Sequence, residues 1–195
     1  NTVLVYGAAS GVGTAAIQII KSLGATPIAV VGSEKKELFC KELGALDAIN
    51  YKTTPEFAGQ VKELTYGKGV DVILDCIGAS NFAMNQKMIS VGGKWVLYGL
   101  MGGSMAKDVN LGLVLVKNIN MMGSTLRSKS NTYKTKLVQS FSDFALPKFE
   151  EEEFLPIIDN VFPIQKVGEA HKHVEANKNV GKVLLEVSGE TSTFQ

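Results

Sequence analysis

Short β-rich runs alternate with longer helix-period segments along most of this 195-residue chain, and that rhythm narrows the possible folds more than any single motif. Val3–Tyr6, Pro27–Val31, Ala48–Asn50, Val70–Cys76, Lys94–Tyr98 and Ile119–Gly123 read as strands. Between them lie helical stretches at Val12–Leu23, Glu34–Leu43, Pro55–Leu64 and Asn81–Ile89, two of which end at a glycine (Gly24, Gly44). The run VDVILDC is apolar on both faces apart from its aspartates, as a central parallel strand is. Strand–helix alternation of this kind predicts an α/β fold, a doubly wound parallel sheet of six strands. The rhythm changes after Thr125. A long helix over Asn131–Phe144 and an acidic run at Glu150–Glu153 are followed by Val161–Ile164, a helix over Val167–Ala176, and Lys182–Val187. The expected division is a Rossmann domain over 1–145, a separate C-terminal segment over 146–187 and a frayed tail over 188–195.

The first strand stops at Gly7-Ala8-Ala9-Ser10-Gly11-Val12-Gly13, and the first helix begins there. At a helix N-terminus unpaired backbone N–H groups and the positive end of the dipole favour an anion. Small residues let the backbone approach a pyrophosphate, and Gly13 lets the helix lie close on the strand. A dinucleotide is therefore the expected ligand, with Ser10, Gly11, Val12 and Gly13 around its pyrophosphate. A Walker A loop is excluded because Thr14, not lysine, follows Gly13. The short-chain dehydrogenase pair, tyrosine with lysine four positions on, is missing at Tyr6, Tyr51, Tyr66, Tyr98 and Tyr133. At the end of the second strand an NAD site expects a carboxylate about 20 residues beyond the turn. Ser33 stands there, with Lys35 and Lys36 beside it. That charge pattern attracts a 2′-phosphate, so NADP is expected; Glu34 is discordant unless it points to solvent. Ser33 also suits a helix N-cap, and the two roles are compatible.

Composition removes other classes. Lys and Arg number 20 against 19 Asp and Glu, with Arg127 the one arginine, so neither a nucleic acid nor a membrane is an expected partner. Apolar runs are far short of the roughly 20 residues a bilayer span needs. Cys40 and Cys76 are too few for a disulfide framework and lack metal-ligand spacing, so no metal is expected and a reducing, cytoplasmic setting is. His171 and His173, two apart, face different sides of a helix.

Over nearly its whole length the sequence resembles the cofactor-binding half of the zinc-independent quinone oxidoreductases in the medium-chain dehydrogenase/reductase superfamily. SGVGTAAIQ, GSEKK, INYK, ILDCIGAS, GGKWVLYGLMGG, LRSKSNTYK and EAHKHVEANKNVGKVLLE carry the likeness. The resemblance implies that Ser33, Lys36, Tyr51 and Asn179 hold the 2′-phosphate of NADP, and that Gly99, Leu100, Met101 and Leu126 lie on the nicotinamide side. It implies hydride transfer to a quinone, with an enoyl reductase or a non-catalytic NADPH-binding protein as alternatives on the same scaffold. It also implies a homodimer through the edge strand Ile119–Gly123. In that family a catalytic domain precedes the first strand, so the chain is expected to be a fragment, inactive alone. Phe154, Leu155 and Phe162 are then expected to lack partners. No residue is assigned a catalytic role; Asp75 is read as structural.

Overall fold

The computed structural model describes residues 1–107 and 109–187, so the predicted tail over 188–195 lies outside the described residues. Six parallel strands form the main sheet: β1 (Thr2–Tyr6), β2 (Thr26–Val31), β3 (Asp47–Asn50), β4 (Val70–Asp75), β5 (Ile89–Leu97) and β6 (Asn120–Gly123). Their order is β3-β2-β1-β4-β5-β6, the doubly wound Rossmann arrangement, with its topological switch between β1 and β4.

Side chains of successive strand residues point to opposite faces, and here both faces are covered. Val3, Val5, Ala29 and Val31 join one core cluster with Ile17 and Ile20 of α1 (Gly11–Ser22) and Cys40 of α2 (Glu34–Leu43). Leu4, Tyr6, Ile28 and Val30 join the other, with Val61 of α3 (Ala58–Leu64), Met88 of α4 (Phe82–Met88) and Trp95 of β5. Each fully buried aliphatic side chain contributes about 1.5–3 kcal/mol, so the strand runs hold the sheet between its helices.

Several elements depart from the sequence reading; β5 already begins at Ile89, not Lys94, and the strand expected at Val161 begins at Ile158. The helix predicted from Pro55 starts at Ala58, because the chain after β3 first turns back through Thr54 N–H to Asn50 O (2.9 Å). A short helix, α5 (Leu111–Val116), is capped by Asn110, whose side chain accepts from Leu113 N–H. The long helix α6 (Asn131–Glu150) runs past Phe144 and through Pro147. It continues because the chain folds back on it: Phe154 N–H donates to Lys148 O (2.9 Å), and the Phe154 ring meets Phe144 and Phe149 at centroid distances of 5.9 and 5.8 Å. Phe154 is therefore buried, contrary to the expectation that it lacks partners, whereas Leu155 is half exposed.

The C-terminal residues form a second, two-stranded parallel sheet, β7 (Ile158–Pro163) and β8 (Lys182–Glu186), joined by α7 (Val167–Glu175). This unit is fastened to the start of α1. Gly181 N–H donates to Ala9 O (2.8 Å), and Gln18 exchanges two hydrogen bonds with the Leu155 backbone (3.1 and 2.7 Å). An apolar cleft of about 310 Å³ opens between α1, the end of α6 and β8, lined in part by Phe141, Phe149, Phe154 and Leu184.

Lys117 closes the opposite end of the sheet. Its ammonium donates to the carbonyls of Gln86 (2.8 Å) and Lys87 (3.1 Å), which lie in the last turn of α4, and of Ile89 (2.8 Å), the first residue of β5. Lys117→Met keeps the aliphatic stem and removes the donor; urea denaturation should show a loss of about 1–2 kcal/mol.

Candidate functional site

The carboxyl ends of all six strands share one edge, and the site residues collect there because each follows a strand. At the switch point Gly7 turns with φ +58°, a left-handed conformation that suits glycine, and Ser10 N–H closes the turn on Gly7 O (2.8 Å). Ser10 is the N-cap of α1 and its Oγ accepts from Gly13 N–H (3.1 Å). That leaves the Gly11 and Val12 amides without an acceptor inside the helix, at the positive end of a twelve-residue dipole. Gly13 is fixed by packing: a Cβ there would stand 2.4 Å from Gly7 O and 2.5 Å from two Ala8 backbone atoms. The turn is thus a cradle of backbone donors at a helix N-terminus, with the Lys182 side chain lying against Gly11, which fits a pyrophosphate.

Next to it lies the end of β2. Ser33 occupies the N-cap position of α2 yet makes no capping bond, so its predicted capping role is positional only. Glu34 is exposed, as a charge beside an anion site must be. Tyr51, after β3, lies over Gly32: a Cβ on Gly32 would meet the phenol oxygen at 2.8 Å. Lys36 is buried while Lys35 is exposed. Burial, with Lys52 nearby, holds the Lys36 ammonium below the ordinary lysine range. Ser33 and Lys36 thus share the first turn of α2, and Tyr51 lies against Gly32, the residue before Ser33.

Asn179 is a different case. Its amide donates to Gly181 O (3.1 Å), a turn contact, and the residue that meets Lys36 is Asn177. Nothing in the sequence near Asn177 marks it, since the contact spans 141 positions.

On the other side of the switch the loops after β4 and β5 are stitched together. Met101 N–H donates to Cys76 O (3.0 Å), Gly102 N–H to Ile77 O (2.7 Å) and Ala79 N–H to Gly103 O (3.0 Å). Gly99 permits this approach, for a Cβ there would be 2.9 Å from Cys76 O. Leu100 and Met101 are exposed on the resulting ledge, and Leu126 is exposed beyond β6. Cys76 forms the floor between the two halves, its Sγ 3.8 Å from Tyr6 O; burial pushes its thiol up, so it is no ready thiolate. Asp75 is fully buried and accepts from Ile77 N–H (2.7 Å), Gly78 N–H (3.0 Å), Asn85 Nδ2 (3.0 Å) and Trp95 Nε1 (2.8 Å). It has no face left for a substrate. His173 is paired with Asp159 (2.6 Å) in the C-terminal unit.

Sheet order, glycine turn and loop ledge define a nucleotide-binding Rossmann domain. More narrowly, the chain belongs to the zinc-binding dehydrogenase family, whose model matches residues 11–143. Quinone oxidoreductase-like protein 2 of Bos taurus is 33% identical over 190 residues, covering 95% of this chain and 52% of that protein. The structure of Escherichia coli quinone oxidoreductase complexed with NADPH superposes with a TM-score of 0.82 at 26% identity, over 96% of this chain and 57% of that one. A structure of an NAD-dependent alcohol dehydrogenase matches with a TM-score of 0.80 at 34% identity, over 96% of this chain and 51% of that one. The chain spans about half the length of the curated relatives it matches. Among the described residues no helix is long and apolar enough to cross a membrane.

Proposed function

We propose that this chain is the NADPH-binding part of an oxidoreductase that passes hydride from NADPH to a quinone. The observation that carries the reading is the group at the end of β2: a buried lysine, a hydroxyl with no capping partner and an overlying tyrosine, where an NAD site presents a carboxylate. NADPH, when bound, supplies the hydride, and the protein orients it. The Gly11 and Val12 amides hold the pyrophosphate; Ser33, Lys36 and Tyr51 hold the 2′-phosphate. The ledge of Gly99, Leu100 and Met101, with Leu126 opposite, seats the nicotinamide and keeps water from one of its faces. No general acid is required of these residues, since a quinone accepts electrons readily and takes its protons from solvent.

The complete protein is proposed to carry a further catalytic domain, to work without zinc and to reside in the cytoplasm, consistent with the free thiols of Cys40 and Cys76. Residues 146–187 would complete that domain, and the apolar cleft beside α1 is a face for it to cover. A homodimer is proposed through β6, an edge strand whose four residues are all exposed, Met121 and Met122 each a little under half.

Calorimetric titration of the chain with NADPH and NADH tests the cofactor reading. NADPH should bind more tightly, and Lys36→Ala should reduce the preference by at least about tenfold, the value of one charged contact of about 1.4 kcal/mol. Equal binding of the two by the unaltered chain would overturn the phosphate assignment and favour an NAD enzyme.

A further inference from the structure

Lys36 is held in an unusual way for a buried cation. Its Nζ donates to two oxygens of one residue, the backbone carbonyl (2.9 Å) and the side-chain Oδ1 (2.7 Å) of Asn177. Both can reach it because Asn177 adopts φ +52°, a left-handed conformation that asparagine tolerates better than most residues. The turn that creates it closes α7, with Asn177 N–H on Val174 O (2.8 Å). Among the described residues Lys36 makes no ion pair. Asp159 is the acid whose field it feels, but that side chain is engaged by His173 (2.6 Å) and Val180 N–H (3.0 Å).

From this geometry, and resting on the NADPH reading above, we infer that Asn177 is the positioning residue for the Lys36 ammonium and a determinant of selectivity for the 2′-phosphate. Two amide oxygens fix the ammonium in place and satisfy part of its hydrogen bonding. Being uncharged, they leave its full positive charge for an incoming dianion. A carboxylate in the same position would hold the ammonium equally well and neutralise it, so a phosphate would meet a pair of net charge zero. The selectivity of the Rossmann domain then depends on the β7–α7–β8 unit, which delivers Asn177 to the end of β2.

Asn177→Asp separates the two functions of this residue, position and charge. The substitution is isosteric, tolerates the same φ and retains two acceptors. By calorimetry on the full chain it should weaken NADPH by at least about tenfold while NADH affinity and melting temperature stay near those of the unaltered protein. Asn177→Gly, which suits the left-handed φ and keeps only the backbone carbonyl, should weaken NADPH by a few-fold, again without changing NADH. Undiminished NADPH preference in Asn177→Asp overturns the inference; should that variant not fold, undiminished preference in Asn177→Gly does so. The cofactor reading fails separately, and takes this inference with it, when the unaltered chain binds the two cofactors equally. Preference lost in Lys36→Ala but kept in Asn177→Asp defeats only the role given to Asn177.

Discussion

Gly13→Ala should destabilise the protein by about 3 kcal/mol and weaken NADPH binding by tenfold or more. The added Cβ would stand 2.4 Å from Gly7 O and 2.5 Å from the Ala8 Cα and carbonyl carbon. All three are backbone atoms of the turn itself, so no side chain can swing away, and the first turn of α1 must lift from β1. Overpacking a tight site costs about 1–3 kcal/mol, and a backbone clash of this depth belongs at the upper end. The same lift moves the Gly11 and Val12 amides and breaks the Gly13 N–H to Ser10 Oγ bond. Each charge-assisted bond lost to a phosphate is worth about 1.5–3 kcal/mol, which sets the expected loss of affinity. Gly59→Ala is the natural control. Gly59 lies in α3 with nothing within 4 Å of its Cβ position and no positive φ, so alanine should stabilise there by about 0.5–1 kcal/mol. Urea denaturation of the two variants should therefore give shifts of opposite sign. Equal shifts would mean that helix propensity, not the approach of α1 to β1, governs both positions.

The alternation that announces the fold is readable because each strand residue commits to one face. Val3 and Val5 against Leu4 and Tyr6 is a period of two with both faces apolar, and such a strand has few places to go but the middle of a parallel sheet. The glycine turn is readable for a related reason: Gly7 and Gly13 answer to local backbone geometry, and local constraints leave local marks. The misses have the opposite character. Leu111–Val116 is an apolar run of helical structure whose length and composition do not distinguish helix from strand. Its deciding feature is Asn110, which caps it and whose backbone also accepts from and donates to the side chain of Gln86 (2.9 and 3.1 Å), a partner outside any local window. Phe154 was expected to be an orphan of another domain, yet it folds onto α6 because Phe144 and Phe149 are within reach after a tight turn at Glu152, φ +58°. The contact of Asn177 with Lys36 is of the same kind: it depends on where α7 ends, and helix ends are the least determined part of a sequence reading.

The side chain of Asp75 is where structural and catalytic readings part most sharply. Oδ1 accepts from Ile77 and Gly78 N–H, and Oδ2 from Asn85 Nδ2 and Trp95 Nε1. Asn85 in turn accepts from the Tyr6 hydroxyl (2.7 Å), so one buried carboxylate links β1, α4, β5 and the loop after β4. Burial raises the Tyr6 phenol well above its ordinary range, with Asp75 adding to the effect, and Tyr6 therefore acts here as a neutral donor. In Asp75→Asn the carboxamide must present its NH2 to one of the two donor pairs, whichever way it is turned. Two buried donors then lose their acceptor, at about 1–3 kcal/mol each, and the new N–H groups gain none. The expected loss is roughly 3–5 kcal/mol. Trp95 is the chain's one tryptophan and donates directly to Asp75, so its fluorescence should report both a local change in the native state and the shifted urea midpoint. Because the ledge is stitched to the segment that Asp75 holds, Met101 N–H to Cys76 O and Gly102 N–H to Ile77 O, NADPH affinity should fall along with stability. A variant of full stability and full cofactor affinity that nonetheless fails to turn over in the complete protein would make Asp75 a catalytic group; simultaneous loss of stability and affinity, with the Trp95 signal altered, keeps it as the fastening of the sheet beneath the cofactor.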